Sequence, residues 1–346
     1  MITREKEPPN LETPFTALES FVTPNDRFYV RCHFPIPKIN ERDWRLKIEG
    51  KVARPCELTM DEMRQMPAQT ITATLECAGN SRVFLVPKVK GVQWELGAVG
   101  NAKWTGVRLR DVLQRAEIAD QAREIILEGA DNGTISEPPR PAGKINFARS
   151  MPLAKAMKDV LLAYQMNGES LTAAHGFPLR AVVPGWYAMA SIKWLQRIIA
   201  SDEPFNGYYQ SIDYAYWQPR ETGPVLVPLT DMQVKAEIAR PANNEIIHAN
   251  SKYHVKGAAW TGDAVVKSVE ISCDGGKSWS EATLDADTTE NAWQLWHFAW
   301  QTPAPGNYVL MARATDSRGR IQAMQRDNNA GTYMISHCLP IDVEVR

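Results

Sequence analysis

The sequence contains no Cys-x-x-Cys pair and no Cys-x-x-Cys-His segment. Its five cysteines, Cys32, Cys56, Cys77, Cys273 and Cys338, are scattered and odd in number, which argues against a disulfide framework, a zinc ribbon or a covalent haem site. Neither Gly-x-x-x-x-Gly-Lys-Ser/Thr nor Gly-x-Gly-x-x-Gly occurs, so any bound phosphate would not sit on a P-loop or a Rossmann turn. The first residues, Met1 to Pro9, hold no apolar core, and no run approaches the length needed to span a membrane. As it stands the chain reads as cytoplasmic, or as periplasmic if an export signal has been trimmed. Nor is there an excess of charge of one sign. Lys and Arg (39) nearly balance Asp and Glu (40), which sets aside a global field for nucleic acid or an anionic membrane. An anion site has to come from local clustering.

What is present is an ordinary globular composition, 44% hydrophobic and 23% charged, over 346 residues. That length accommodates two domains, each with its own core. Residues 1–27 are polar and Pro-rich and read as an arm lying on the surface. Phe28 to Pro37 reads as a strand, with Arg31 and His33 on one face by its period of two. Thr59 caps a short helix with Asp61 and Glu62 in its first turn, and Val107 to Ile118 carries Leu109, Val112, Leu113 and Ala116 at core spacing. Glu124–Glu128 reads as a strand entering a turn at Asp131-Asn-Gly133. Leu161–Met166 is a strand followed by an Asn167-Gly168 hairpin turn, and Ser191–Leu195 a further strand. After Gly223-Pro224 and Pro228, which mark a linker, strand signals dominate, with turns at Asp274-Gly275-Gly276 and Asp316–Gly319. Turn signals spaced about ten residues apart predict an antiparallel β-sandwich.

The chemistry gathers around Thr72–Arg82. An alternating run through Ile71, Ala73 and Leu75 breaks at Ala78-Gly79-Asn80, which leaves Cys77 at a strand end with Arg82 five residues on. A thiol beside a cation at such an edge is placed to be a thiolate, the form that binds metal or attacks substrate. A buried cysteine acting as a small hydrophobe is the alternative. Farther on, His175, Arg180 and Lys193 recur around short strands and glycine turns, a pattern suited to cradling an oxyanion.

Together these segments resemble the sulfite oxidase family of molybdenum enzymes over nearly the whole chain. In family order they are Val30-Arg-Cys-His-Phe-Pro-Ile-Pro37, Leu75-Glu-Cys-Ala-Gly-Asn80, Gly106-Val-Arg-Leu-Arg-Asp-Val-Leu113 and Glu128-Gly-Ala-Asp131. His175-Gly-Phe-Pro-Leu-Arg180, Ile192-Lys-Trp-Leu195, Asp213-Tyr214 and Asp274-Gly-Gly-Lys-Ser-Trp279 follow. The resemblance implies an α+β fold: a mixed α/β molybdopterin-binding domain over residues 1–222, then an immunoglobulin-like dimerisation domain over 223–346. It implies Cys77 as the protein ligand of molybdenum. Arg31, His33, Asp131, His175, Arg180 and Lys193 would hold the molybdopterin and its phosphate, flanked by backbone groups of Val30, Cys32, Phe34, Ser191 and Ile192. Arg31 and Arg82 would also face the substrate anion, and Tyr214 would place its hydroxyl near the metal's oxygen ligands.

The implied reaction is oxidation of sulfite to sulfate by a homodimer, with electrons passed to an external protein acceptor, a cytochrome c being one candidate. Three positions depart from the family pattern. Ser81 stands where the loop commonly carries a first arginine, and Cys32 interrupts Arg-Asn-His. Gln294 falls where vertebrate sulfite oxidases are expected to carry a third substrate-site arginine. Rival readings are a nitrate or methionine sulfoxide reductase on the same core, and a non-catalytic β-sandwich binding module.

Overall fold

Alternation at period two dictates strands over most of the chain, and the computed structural model, which describes residues 1–346, is built largely of them. The first part holds two five-stranded sheets. One runs Glu169–Ser170, Leu161–Met166, Val99–Arg108, Ala68–Glu76, with Arg180–Val182 pairing on the free side of Leu161–Met166. The other runs Cys56–Leu58, Leu46–Gly50, Leu195–Ser201, Glu124–Thr134, Lys144–Pro152, with Leu195–Ser201 parallel to Leu46–Gly50 and antiparallel to Glu124–Thr134. Residues from both sheets share one large apolar cluster. Helices are short. Met60–Gln65 is closed by a full capping box between Thr59 and Glu62, as the Thr-x-x-Glu spacing predicts. The expected helix over 107–118 contracts to Leu109–Arg115 but buries Leu109, Val112, Leu113 and Ala116 completely.

The second part is a sandwich. One sheet orders Lys235–Arg240, Lys252–Trp260, Gln294–Gln301 and Thr283–Leu284; the facing one orders Glu245–Ile247, Ile341–Val345, Gly306–Asp316, Val266–Ser272 and Ser280–Glu281. Every pairing is antiparallel except Glu245–Ile247 with Ile341–Val345. The inward positions close a separate core around Trp296 and Trp300.

Several expectations need correcting. Residues 1–27 do not simply lie on the surface. Ile2–Glu5 and Asn10–Glu12 form a hairpin, and Asn10 and Glu12 are fully buried because each satisfies backbone donors of the first domain. Residues 28–37 are an extended loop held by a single bridge between Val30 and Leu11, not a strand. Asp131-Asn-Gly133 is no turn. Glu124–Thr134 continues through it as one strand with a register shift between Glu128 and Asn132. Ser191–Trp194 is irregular, and the strand starts only at Leu195. The residues read as a linker instead form a hairpin, Ala215–Gln218 with Val225–Pro228, so the expected boundary falls inside a paired unit.

Candidate active site

Strand Ala68–Glu76 delivers Cys77 to its end, where the Cys77 N–H donates to the carbonyl of Ala98 (2.9 Å) and its own carbonyl accepts from the Asn80 N–H (2.8 Å). Asn80 closes the loop from inside: its Oδ1 accepts from the Ala98 N–H (3.0 Å) and its Nδ2 donates to Glu76 (3.3 Å). Ser81 holds a left-handed conformation, φ +71°, unfavourable for a residue with a Cβ. It persists because its N–H donates to Glu95 O (2.7 Å) and its hydroxyl to Glu237 (2.8 Å). A Cβ at Gly79 would lie 2.2 Å from the Arg82 guanidinium, so any larger residue there requires that side chain to move.

On both sides of Cys77 the loop is gripped by the second domain. Lys235 is fully buried and donates to Glu76 (3.3 Å), Glu237 (2.7 Å) and the Ser81 hydroxyl (3.0 Å), while Trp260 Nε1 donates to Glu76 (2.8 Å). Burial pushes the Glu237 carboxyl up to about 7 against the pull of Lys235.

Cys77 opens onto a partly open cavity lined by twenty residues, thirteen of them hydrophobic. Its wall brings together most of the residues singled out from sequence. Arg31, Cys32, His33 and Tyr214 line it with Cys77, and Asp131, His175, Arg180, Ser191, Ile192 and Lys193 complete it. Four do not reach it. Val30 is buried with its backbone spent on Leu11, and Phe34 packs against Tyr209. Arg82 lies behind Cys77, donating to Val92 O (2.8 Å) and Thr332 O (3.1 Å) beneath the Tyr333 ring. Gln294 lies in the sandwich, where its amide donates to the carbonyls of Asp285 (2.7 Å), Asp287 (3.3 Å) and Leu295 (3.2 Å). Backbone donation is also narrower than expected, because the Cys32 N–H is taken by Asn10 Oδ1 (2.8 Å).

The electrostatics of the wall are those of an anion site. Arg180 has no carboxylate partner: it donates to His175 O (3.1 Å) and Ser191 O (3.2 Å) and lies 4.8 Å from the Trp104 ring centroid. Lys193 donates to Ala174 O (2.9 Å) and to the Cys32 sulfur (3.3 Å). Burial, with Arg180 and Lys193 beside it, holds His175 down to about 3, so it is neutral. Burial pushes Asp131 up to about 7, which makes it a weak counterion for these cations. Two desolvated cations without an anion call for one to be bound. On the other side of the cavity, His33 Nε2 lies 2.6 Å from the Tyr214 hydroxyl, and its ring stacks on Phe147 at 4.3 Å.

Residues 33–209 match an oxidoreductase molybdopterin binding domain, and residues 227–335 match a Mo-co oxidoreductase dimerisation domain. The mitochondrial sulfite oxidase of Drosophila melanogaster is 36% identical over 341 residues. The chain belongs to the sulfite oxidase family of molybdopterin oxidoreductases. It aligns over 92% of its own length with the Drosophila enzyme but spans only 58% of that protein. Nitrate reductase [NADH] 2 of Phaseolus vulgaris is 33% identical, over 84% of this chain and 36% of that one. The sulfane dehydrogenase SoxCD structure from Paracoccus pantotrophus superposes with a TM-score of 0.86 at 28% identity, covering 97% of this chain and 84% of that one. No helix is long and apolar enough to cross a membrane.

The cavity fits this family's cofactor. The unpaired Arg180 and Lys193 suit a pterin phosphate, and a soft sulfur donor at Cys77 suits molybdenum. Sequence reading missed three residues that shape the site. Asn10 fixes the Cys32 backbone, Phe147 stacks on His33, and Tyr333 of the second domain packs its ring at a tilt against Tyr214 (4.9 Å) while donating to Asp213 (3.1 Å). Phe147 lies on a strand whose periodicity marks it as buried, a signal that was available. Nothing local distinguishes Asn10 or Tyr333.

Proposed function

We propose that this chain oxidises sulfite to sulfate with molybdenum-molybdopterin and passes the electrons to an external protein acceptor. The observation that supports it is that Cys77, Arg31 and Tyr214 line one cavity whose far wall carries unpaired cations. Bound, the cofactor supplies oxygen-atom transfer and storage of two electrons. Arg180 and Lys193 hold its phosphate, with neutral His175 between them. Cys77 is the protein donor in this reading, its soft sulfur suiting a metal carried by the pterin.

Burial raises the Cys77 thiol above its ordinary range, with Arg82 and Arg31 partly offsetting it, so metal binding has to displace a proton. Arg31 binds and orients the dianion. Arg82, one layer back, adds positive field without touching it. Tyr214, held by His33, presents a hydroxyl to the substrate oxygens. A homodimer formed through the second domain accompanies this reading.

The test is reduction of ferricyanide or cytochrome c by molybdenum-replete protein with sulfite as donor. Turnover that weakens as ionic strength rises is expected. No reduction by sulfite, with nitrate accepting electrons from a reduced dye, would overturn the substrate. A second reading, oxidation of a sulfur compound other than free sulfite, is favoured by the cavity's having Arg31 as the one arginine of the expected substrate set on its wall. A persulfide donor in the same assay separates the two.

A further inference from the structure

Arg149 is fully buried and meets no carboxylate. Its hydrogen bonds all go to backbone carbonyls. Nη1 donates to Tyr209 O and, more loosely, to Gln210 O and Tyr214 O (3.4 Å each); Nη2 donates to Leu229 O (2.7 Å). Nε has no partner. The guanidinium carbon lies 6.0 Å from the centroid of the Tyr214 ring. Burial lowers its pKa to about 10, so it is still charged at neutral pH.

Three of the four carbonyls it gathers come from one stretch, Tyr209 to Tyr214, and the fourth from Leu229. Residues 209–213 form a single π-helical turn, a geometry that leaves carbonyls without regular partners. Tyr214 follows directly, and its carbonyl also accepts from the Leu229 N–H (2.9 Å). A planar fork with five donors is able to satisfy several converging carbonyls at once; an ammonium is a single point, and an apolar side chain satisfies none. Burying a charge this way is costly, and the object it secures is the turn that aims Tyr214 at His33.

We propose that Arg149 is a positioning residue for Tyr214: by clamping the 209–214 turn to Leu229 it fixes where the tyrosine hydroxyl stands in the cavity. The proposal rests on the reading of Tyr214 as a group that faces the reacting centre.

The test uses the full chain with Arg149→Met, Arg149→Lys and Tyr214→Phe. Hydrogen exchange on residues 207–218 reads the clamp without any substrate. Arg149→Met should exchange at least about tenfold faster there, with Arg149→Lys in between and molybdenum and pterin content unchanged. In turnover, Arg149→Met should lower kcat about tenfold or more while KM moves less than about twofold. In a Tyr214→Phe background the same change should cost less than about twofold, because its target has already gone. Unchanged exchange over 207–218, or an equal fold-loss in both backgrounds, would overturn the proposal. If Arg149→Met does not accumulate, the same two measurements on Arg149→Lys decide it. A wild-type chain inert to sulfite whose exchange still responds to Arg149 would sink the sulfite reading and leave the clamp standing.

Discussion

A thiol buried as Cys77 is resists ionising, and the positive charges of Arg82 and Arg31 only partly offset that. Serine in its place would be a harder and still less acidic donor. Cys77→Ser should therefore retain pterin, which is held by other residues, yet lose about a hundredfold or more in turnover; pterin fluorescence and the dye assay read the two separately. His175 gives a pH signature. It stays neutral in the fold, held down to about 3 by burial and then by Arg180 and Lys193, whereas the unfolded chain takes up that proton near 6.5. Between those values the unfolded state binds more protons, so this residue removes stability as pH falls, by about 2 kcal/mol at about pH 5. Asp131, pushed up to about 7, acts in the opposite sense over the same range. The clean comparison is cofactor-free wild type against His175→Gln, whose thermal midpoint should fall less between about pH 7 and pH 5. The cluster of His175, Arg180 and Lys193 was legible because each sits beside a glycine or a strand end in a recurring pattern, although burial leaves His175 neutral rather than cationic. Gln294 was misplaced because alignment with a motif does not say which way a strand residue points, and its amide is consumed by carbonyls of its own domain.

Among the elements, those whose signal is local were readable: the capping box at Thr59, the Asn167-Gly168 turn with both residues at positive φ, and the alternating sandwich strands. Those decided by tertiary partners were not. Asp131-Asn-Gly133 has turn chemistry, but Lys144–Pro152 pairs across it and keeps the strand extended. Trp194 is forced to φ +51° where its Nε1 donates to Ala173 O (2.8 Å), which delays the strand to Leu195. The opening hairpin is the largest surprise, since a Pro-rich polar stretch supplies the Asn10 amide that receives the Cys32 N–H. Asn10→Ala should leave that buried donor unpaired at a cost of about 1–3 kcal/mol, with faster loss of pterin on dialysis. Unchanged retention would show that the hairpin merely covers the site.

At the scale of the whole molecule, Lys235 with Glu76, Glu237 and Ser81 joins the two domains beside the proposed metal ligand. Removing the one cation leaves two buried carboxylates facing each other. Lys235→Met should destabilise by about 3–5 kcal/mol in denaturant titrations, and adding Glu237→Gln should restore part of that loss. The two-domain plan was legible because composition changes to almost pure strand after residue 232. The join was not, for an isolated lysine on a strand gives no hint that its partners are some 150 residues earlier, at Glu76 and Ser81. The join has a consequence for how the chain melts. Neither half is able to let go without stranding charge inside the other, so the halves lack independent lives. Scanning calorimetry of the cofactor-free chain should trace one endotherm with matching calorimetric and van't Hoff enthalpies, where two loosely tethered domains would give two.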